Sequence, residues 1–210
     1  MSRIHRALAG LLLVGLLVLA ACSGASTGGT GNGTPTTTAP TATATPKPKP
    51  AAVPPITEAY CQQLMTVAEA NQIMEPTTPA TQIVADNNAP EGGSCNYEAS
   101  KANFPLIIYF LEWKGPVPIP ESDIAAALAQ ATGASGVTVN TFTTVSGIGA
   151  QAAYLDATAT QDGASFTIHI FYVLEGPFFF DCFAYSPLST SPLGTQAQLQ
   201  QCATQVDSRL

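Results

Sequence analysis

The 210-residue chain carries seven lysines and arginines against fourteen aspartates and glutamates, a formal net charge of −7. All fourteen carboxylates but only three of the cations, Lys101, Lys114 and Arg209, lie in residues 56–210. So acidic a body repels phosphate backbones and anionic headgroups, which excludes nucleic acid as a partner; the charge itself serves solubility.

In chain order, Arg3, His5 and Arg6 precede an uncharged Leu/Val/Ala/Gly run over residues 7–19, too short to serve as a permanent membrane span. The run closes on Leu19-Ala20-Ala21-Cys22. These residues resemble the lipobox of bacterial lipoproteins. The resemblance implies that residues 1–21 are a signal peptide, that the Cys22 thiol carries diacylglyceryl, and that the new amino terminus gains a fatty chain such as palmitate. Each buried methylene contributes about 0.8 kcal/mol, so two or three chains make the attachment effectively permanent. The implied address is the outer face of the bacterial cytoplasmic membrane, with the membrane contacted through the N-terminal lipid.

Residues 22–55 then form a Thr/Pro-rich linker, Gly-rich at first and ending in Pro46-Lys47-Pro48-Lys49-Pro50. Such a composition lacks the apolar surface needed to fold. Its proline-rich end leans towards polyproline II at about 3.1 Å per residue, so the stretched linker reaches on the order of 100 Å into the cell wall. Its threonine density suits glycosylation without establishing it.

Residues 56–210 make a single extracellular domain, large enough to bury roughly two-thirds of its unfolded surface. Its four cysteines, Cys61, Cys95, Cys182 and Cys202, imply two disulfides in an exported protein, with three possible connectivities. Cys61 with Cys95 and Cys182 with Cys202 are the favoured pairs, being local and each joining a helix to a strand. There is no C-x-x-C, and His169 is the domain's only histidine, so no metal or other cofactor is expected.

Thr66 and Glu69 have capping-box spacing and predict a helix to about Met74, stopped by Pro76 and Pro79. A polar loop leads to a short strand around 95–98. A long strand follows over 104–114, apolar on both faces: Leu106, Ile108 and Phe110 alternate with Ile107, Tyr109 and Leu111. Ser122 caps a second predicted helix to Ala131, closed by Gly133. Strands are expected over 137–145, 152–158, 165–172 and 178–185. Asp156 and Asp162 bracket a stretch that reads as a turn, since it lacks the residue ladder of a calcium loop. Ser191-Pro192 opens a terminal helix, with Thr195 and Gln198 as a further capping pair and Leu199, Cys202, Ala203 and Val206 in its apolar stripe. The fold class is α+β, a mostly antiparallel sheet with three covering helices, arranged as two helix-plus-strands halves.

Cys61 with residues 64–69, the Cys95-Asn96-Tyr97 strand, the Val145-Ser146-Gly147-Ile148-Gly149 turn before Ala152-Ala153-Tyr154 and the last helix resemble small cell-wall lipoproteins of actinobacteria and related phyla. Their domain has no assigned function, and its organisation is similar to extracellular sensor domains of mycobacterial receptor kinases. The resemblance implies fold and address and transfers no catalytic residue.

No G-x-S-x-G, H-E-x-x-H, P-loop or dinucleotide fingerprint occurs. His169 reads as a surface or edge histidine, with Ser165 on its side of the strand and Asp156 or Asp181 as conceivable neighbours. Glu112, Glu175 and Asp181 fall near predicted strand ends. The aromatic excess is the stronger signal: Phe178, Phe179 and Phe180 are consecutive and cannot all face one interior. A binding face drawn from Tyr109, Phe171 and Phe179 is the leading expectation, holding an apolar ligand or envelope protein without catalysis. The competing expectation is an envelope hydrolase using His169 or a carboxylate pair.

Overall fold

The computed structural model describes residues 50–87, 92–99, 103–112, 134, 136–187 and 193–210, together with residues 125, 126 and 129. Two short helices come first, α1 (Glu58–Leu64) and α2 (Val67–Met74). Seven strands follow: β1 (Gln82–Asp86), β2 (Gly92–Ala99), β3 (Asn103–Glu112), β4 (Gly136–Val145), β5 (Gln151–Gln161), β6 (Ala164–Glu175) and β7 (Phe178–Pro187). The last element is helix α3 (Gln196–Arg209). The strands form one antiparallel sheet in the order β1-β2-β3-β7-β6-β5-β4, so two meanders meet at the β3–β7 pair. The fold is thus broadly α+β and mostly sheet. Among the described residues no helix is long and apolar enough to cross a membrane.

Capping sets the helix boundaries. The Thr66 hydroxyl accepts from the Glu69 amide at 3.2 Å and Glu69 Oε2 accepts from the Thr66 amide at 2.7 Å, the reciprocal pair expected from the sequence. Thr195 and Gln198 repeat this arrangement, so α3 begins only after Thr195; residues 191–192 lie outside the described residues. The sequence places Cys61 on a helix without giving that helix bounds, and α1 supplies them. Thr57 caps it, but it has only two buried positions, Cys61 and Leu64, too few to make a periodic stripe legible. Strand β1 falls where the sequence predicts loop, because its QIVAD segment sits at the sheet edge and is nowhere fully buried. The helix expected over residues 122–131 lies outside the described residues apart from 125, 126 and 129.

The stretch between Asp156 and Asp162 is not a turn. Residues 157–161 continue β5, and the chain reverses only at Asp162-Gly163, where φ is 50° and 79°. Two consecutive positive φ values give the hairpin turn whose twist matches the flanking strands, and Asp-Gly is a pair suited to it. The turn before β5 depends on Gly149 (φ 54°), where a Cβ would come within 2.5 Å of Val173 Cγ1 and 2.7 Å of the Leu174 carbonyl oxygen.

Helices α1, α2 and α3 pack on one side of the sheet. Leu199, Cys202, Ala203 and Val206 of α3 bury against strand residues that include Phe171, Phe180 and Cys182. Cys61–Cys95 and Cys182–Cys202 are the two disulfides, with Cα separations of 5.6 and 6.6 Å, each tying a helix to a strand. Replacing Cys61 and Cys95 together with Ala should cost about 3 kcal/mol by freeing the unfolded chain, read as a lower midpoint of denaturant unfolding.

An ion pair joins the helices. Arg209 contacts Glu69 at 2.6 Å and also donates to the Leu64 carbonyl at 2.9 Å, bridging α3 to the end of α1 and the start of α2. The hydrogen bond from Arg209, and secondarily the Thr66 amide, hold the Glu69 carboxyl down at about 2. A depressed carboxyl stabilises the fold above its unfolded pKa and loses that contribution as pH falls through the folded value. Both side chains are about one-third exposed, so screening leaves only about 1 kcal/mol. Glu69→Gln should cost that much at pH 7 in urea unfolding, with the difference shrinking as pH falls from about 5 to about 2.

Candidate binding face of the sheet

Strand alternation divides the aromatic residues between two layers. Cys182 must face α3 to meet Cys202, so its neighbours Asp181 and Phe183 point to the opposite face. That far face carries a second apolar cluster, including Ile107, Leu155, Ile168, Ile170, Tyr172 and Phe183. Phe178 and Phe180 turn to the helix side and Phe179 to the far side, all three buried.

A polar row crosses the far face. Register places Tyr109 of β3 and Tyr172 of β6 directly opposite Asp181 of β7, and Ser94 of β2 opposite Tyr109. Opposed side chains of this kind start about 5 Å apart and interact. Asp181 and Tyr172 are each only 9 % exposed and Ser94 is buried, while Tyr109 is half-buried and is the member of the row that reaches the surface. The Tyr109 and Phe183 rings meet edge to face at 6.5 Å, and Phe183 lies 6.1 Å from Tyr185.

Two polar atoms in this row, Asp181 Oδ1 and Tyr172 Oη, are buried and lack a hydrogen-bond partner. Buried polar groups are nearly always paired, because leaving one unpaired costs about 1–3 kcal/mol. Loss of water pushes the Asp181 carboxyl up to about 8, so it is mostly protonated at neutral pH. Desolvation, then the nearby Asp181 charge, raises the Tyr172 phenol well above its ordinary value. Tyr109 moves the same way, from burial first and then from Asp181, Asp86 and Tyr185.

No protein-family model and no curated protein matches the chain. Among solved structures, PA94, a protein of unknown function from Pseudomonas aeruginosa, aligns over 53% of this chain and 72% of its own. The identity is 9% and the TM-score 0.33, too loose a likeness to bear on fold or function.

Of the expected binding residues, Tyr109 and Phe179 share the far face, whereas Phe171 does not. It opposes Cys182 in register, points to the helices and is fully buried in the main core. Consecutive alternation from Tyr172 on the far face dictates this.

His169 is neither at the surface nor on an edge strand. It lies on β6, 5 % exposed, beneath the segment entering α3. Its Nδ1 faces the Leu193 carbonyl, and its Nε2 lies 3.4 Å from Asp156 Oδ1, which accepts from Asn140 at 3.1 Å. Gly194 closes over it, since a Cβ there would meet Ala184 Cβ at 2.6 Å and His169 Cβ at 3.3 Å. Ser165 instead pairs with Thr160 at 3.1 Å, so no serine–histidine pair is assembled. Asp181 sits three residues inside β7 on the opposite face from His169, not at a strand end, while Glu112 and Glu175 both flank Phe178 in register.

Sequence reasoning misses the pairing of Tyr172 with Asp181. The signal that could have found it is parity: once Cys182 is assigned to the helix side, its neighbour Asp181 must enter the other apolar face.

Proposed function

We propose that the chain is a lipid-anchored bacterial envelope protein that binds an apolar ligand or envelope partner on the far face of its sheet and catalyses no reaction. The observation that carries this reading is the pair of buried, unpartnered polar atoms on Asp181 and Tyr172 beside the second apolar cluster, on the side of the sheet away from α1, α2 and α3. A binding face of this kind combines broad apolar contact with a few polar groups that orient what is bound. The Cys22 lipobox supplies the anchor, residues 22–55 the tether, and the disulfides accord with an oxidising location outside the cytoplasm. In this reading the two meanders are the sheet parts of two helix-plus-strands halves, and the domain is of the kind carried by the cell-wall lipoproteins that the sequence resembles. A hydrolase built on His169 lacks such support, because both ring nitrogens face protein oxygens in a buried position.

The test is titration of the full chain with the fluorescent apolar probe N-phenyl-1-naphthylamine. Saturable one-to-one binding, weakened about tenfold by Tyr109→Ala, is expected. Binding that never saturates, or that ignores the substitution, contradicts the reading. Separately, Cys22→Ser should release the protein from the membrane fraction; retention there contradicts the lipid anchor.

A further inference from the structure

A carboxyl oxygen buried without a partner is explained by what it is built to meet. The described residues contain a single lysine or arginine, Arg209, and that one is held by Glu69 on the helix side of the sheet. Asp181 therefore has no cationic side chain opposite it among the described residues, and its Oδ1 has no hydrogen bond. What surrounds it is aromatic: Tyr109 and Tyr172 on the two flanking strands in register, with Phe183 and Tyr185 next on β7. Ring faces attract a positive head, and a desolvated carboxylate completes such a site. A neutral head would satisfy hydrogen bonds but leave the ring faces without an electrostatic role, and an anionic head would meet Asp181 as a like charge. The domain's surplus of carboxylates adds long-range attraction for cations.

Resting on the apolar-binding reading, we propose that the ligand of the far face is an organic ammonium with an apolar tail, its head at Asp181 between Tyr109 and Tyr172 and its tail over the half-buried Leu111 side of β3. The ammonium keeps its own protons, and no covalent bond forms. Asp181, protonated in the free protein, releases its proton to solvent as the cation arrives. Because burial holds that carboxyl at about 8, affinity should rise about tenfold per pH unit up to that value and then level off. Among the described residues the other titratable groups facing the row are Tyr109, Tyr172, Tyr185 and, beyond Tyr109, Asp86; burial raises all three phenols, which therefore stay neutral throughout this range.

The experiment is calorimetric titration of the full chain in lipid nanodiscs with n-hexylamine, 1-hexanol and hexanoate, at several pH values from 5.5 to 8.5 and in buffers of differing ionisation enthalpy. Asp181→Asn in the same nanodiscs corrects for partition into lipid, and its thermal melt verifies folding. Hexylamine is expected to bind once per chain, at least tenfold more tightly than hexanol at pH 8, with close to one proton released at pH 6.5, and to lose at least tenfold in Asp181→Asn. Equal binding of hexanol and hexylamine, or amine affinity that does not change with pH, overturns the ammonium inference while leaving the apolar-binding reading standing. If none of the three binds beyond lipid partition, both fall. Should Asp181→Asn fail to fold, the comparison among head groups on the unaltered chain still decides.

Discussion

Asp181→Asn is expected to make the protein more stable at neutral pH, although it removes a titratable residue from the centre of the domain. In the unaltered chain the folded carboxyl titrates at about 8 and is buried, whereas in the unfolded chain it titrates near its ordinary value. The folded state therefore binds the proton more tightly. The sign of the effect follows: this group's contribution is fully present below the unfolded pKa and is lost as pH rises through the folded one. Between pH 4 and pH 7 the loss is on the order of 3–5 kcal/mol, since a tenfold difference in proton affinity is worth about 1.4 kcal/mol. Asparagine does not titrate, so urea unfolding of Asp181→Asn should lack this decline. Glu69 acts in the opposite direction and only below about pH 5, where its unfolded carboxyl begins to protonate, so the interval from about pH 5 to pH 7 isolates Asp181. A variant that gains stability while losing a ligand would place Asp181 among the residues kept for function at a cost to the fold.

Phe171→Ala is the largest expected loss. The ring has no exposure and packs in the layer between sheet and helices, beside Cys182 in register. Truncating such a residue removes its transfer energy and leaves a cavity, costing about 3–5 kcal/mol. Tyr109→Ala should cost less, because Tyr109 is half-buried where the row reaches the surface, yet it should have the larger effect on binding. The two substitutions are distinguished by denaturant midpoints set against probe affinity. A small stability change at Phe171 would contradict its placement in the main core.

The parts of the fold that are legible in the sequence are those governed by short-range chemistry. Thr66 with Glu69 and Thr195 with Gln198 announce helix starts because a capping box involves four consecutive residues. The doubly apolar alternation of residues 106–111 places β3 inside the sheet, where it pairs with β2 and β7. The disulfide partners follow from locality. Elements decided by tertiary context are not legible. Helix α1 and strand β1 are too short or too exposed to print a period, and residues 157–161 read as a turn because two aspartates bracket them and their small side chains carry little apolar signal, although their alternation is that of a strand. In the structure Ala157 and Ala159 are buried on the far face, where small side chains fit close neighbours.

The candidate site is half legible for the same reason. An aromatic excess and the run Phe178-Phe179-Phe180, which cannot all face one interior, point to rings on a second face, and Tyr109 and Phe179 do share it. Residue type alone groups Phe171 with them, where parity along β6 separates them. His169 stands out in the sequence as the domain's only imidazole, but which segment lies over a strand residue is a long-range property, and Leu193 and Gly194 decide it. Asp181 is, in the sequence, one of several carboxylates. Its isolation among rings depends on three strands meeting in one register, which no local pattern encodes.

The most direct measurement is the titration of the Asp181 carboxyl carbon by NMR in selectively labelled protein. A buried carboxyl with an unpartnered oxygen on the far face predicts a midpoint near pH 8, moving below 6 when an organic ammonium is bound. A midpoint near pH 4 in the free protein would contradict the account, because it would mean that the carboxylate is already hydrated or paired and gains nothing from an arriving cation.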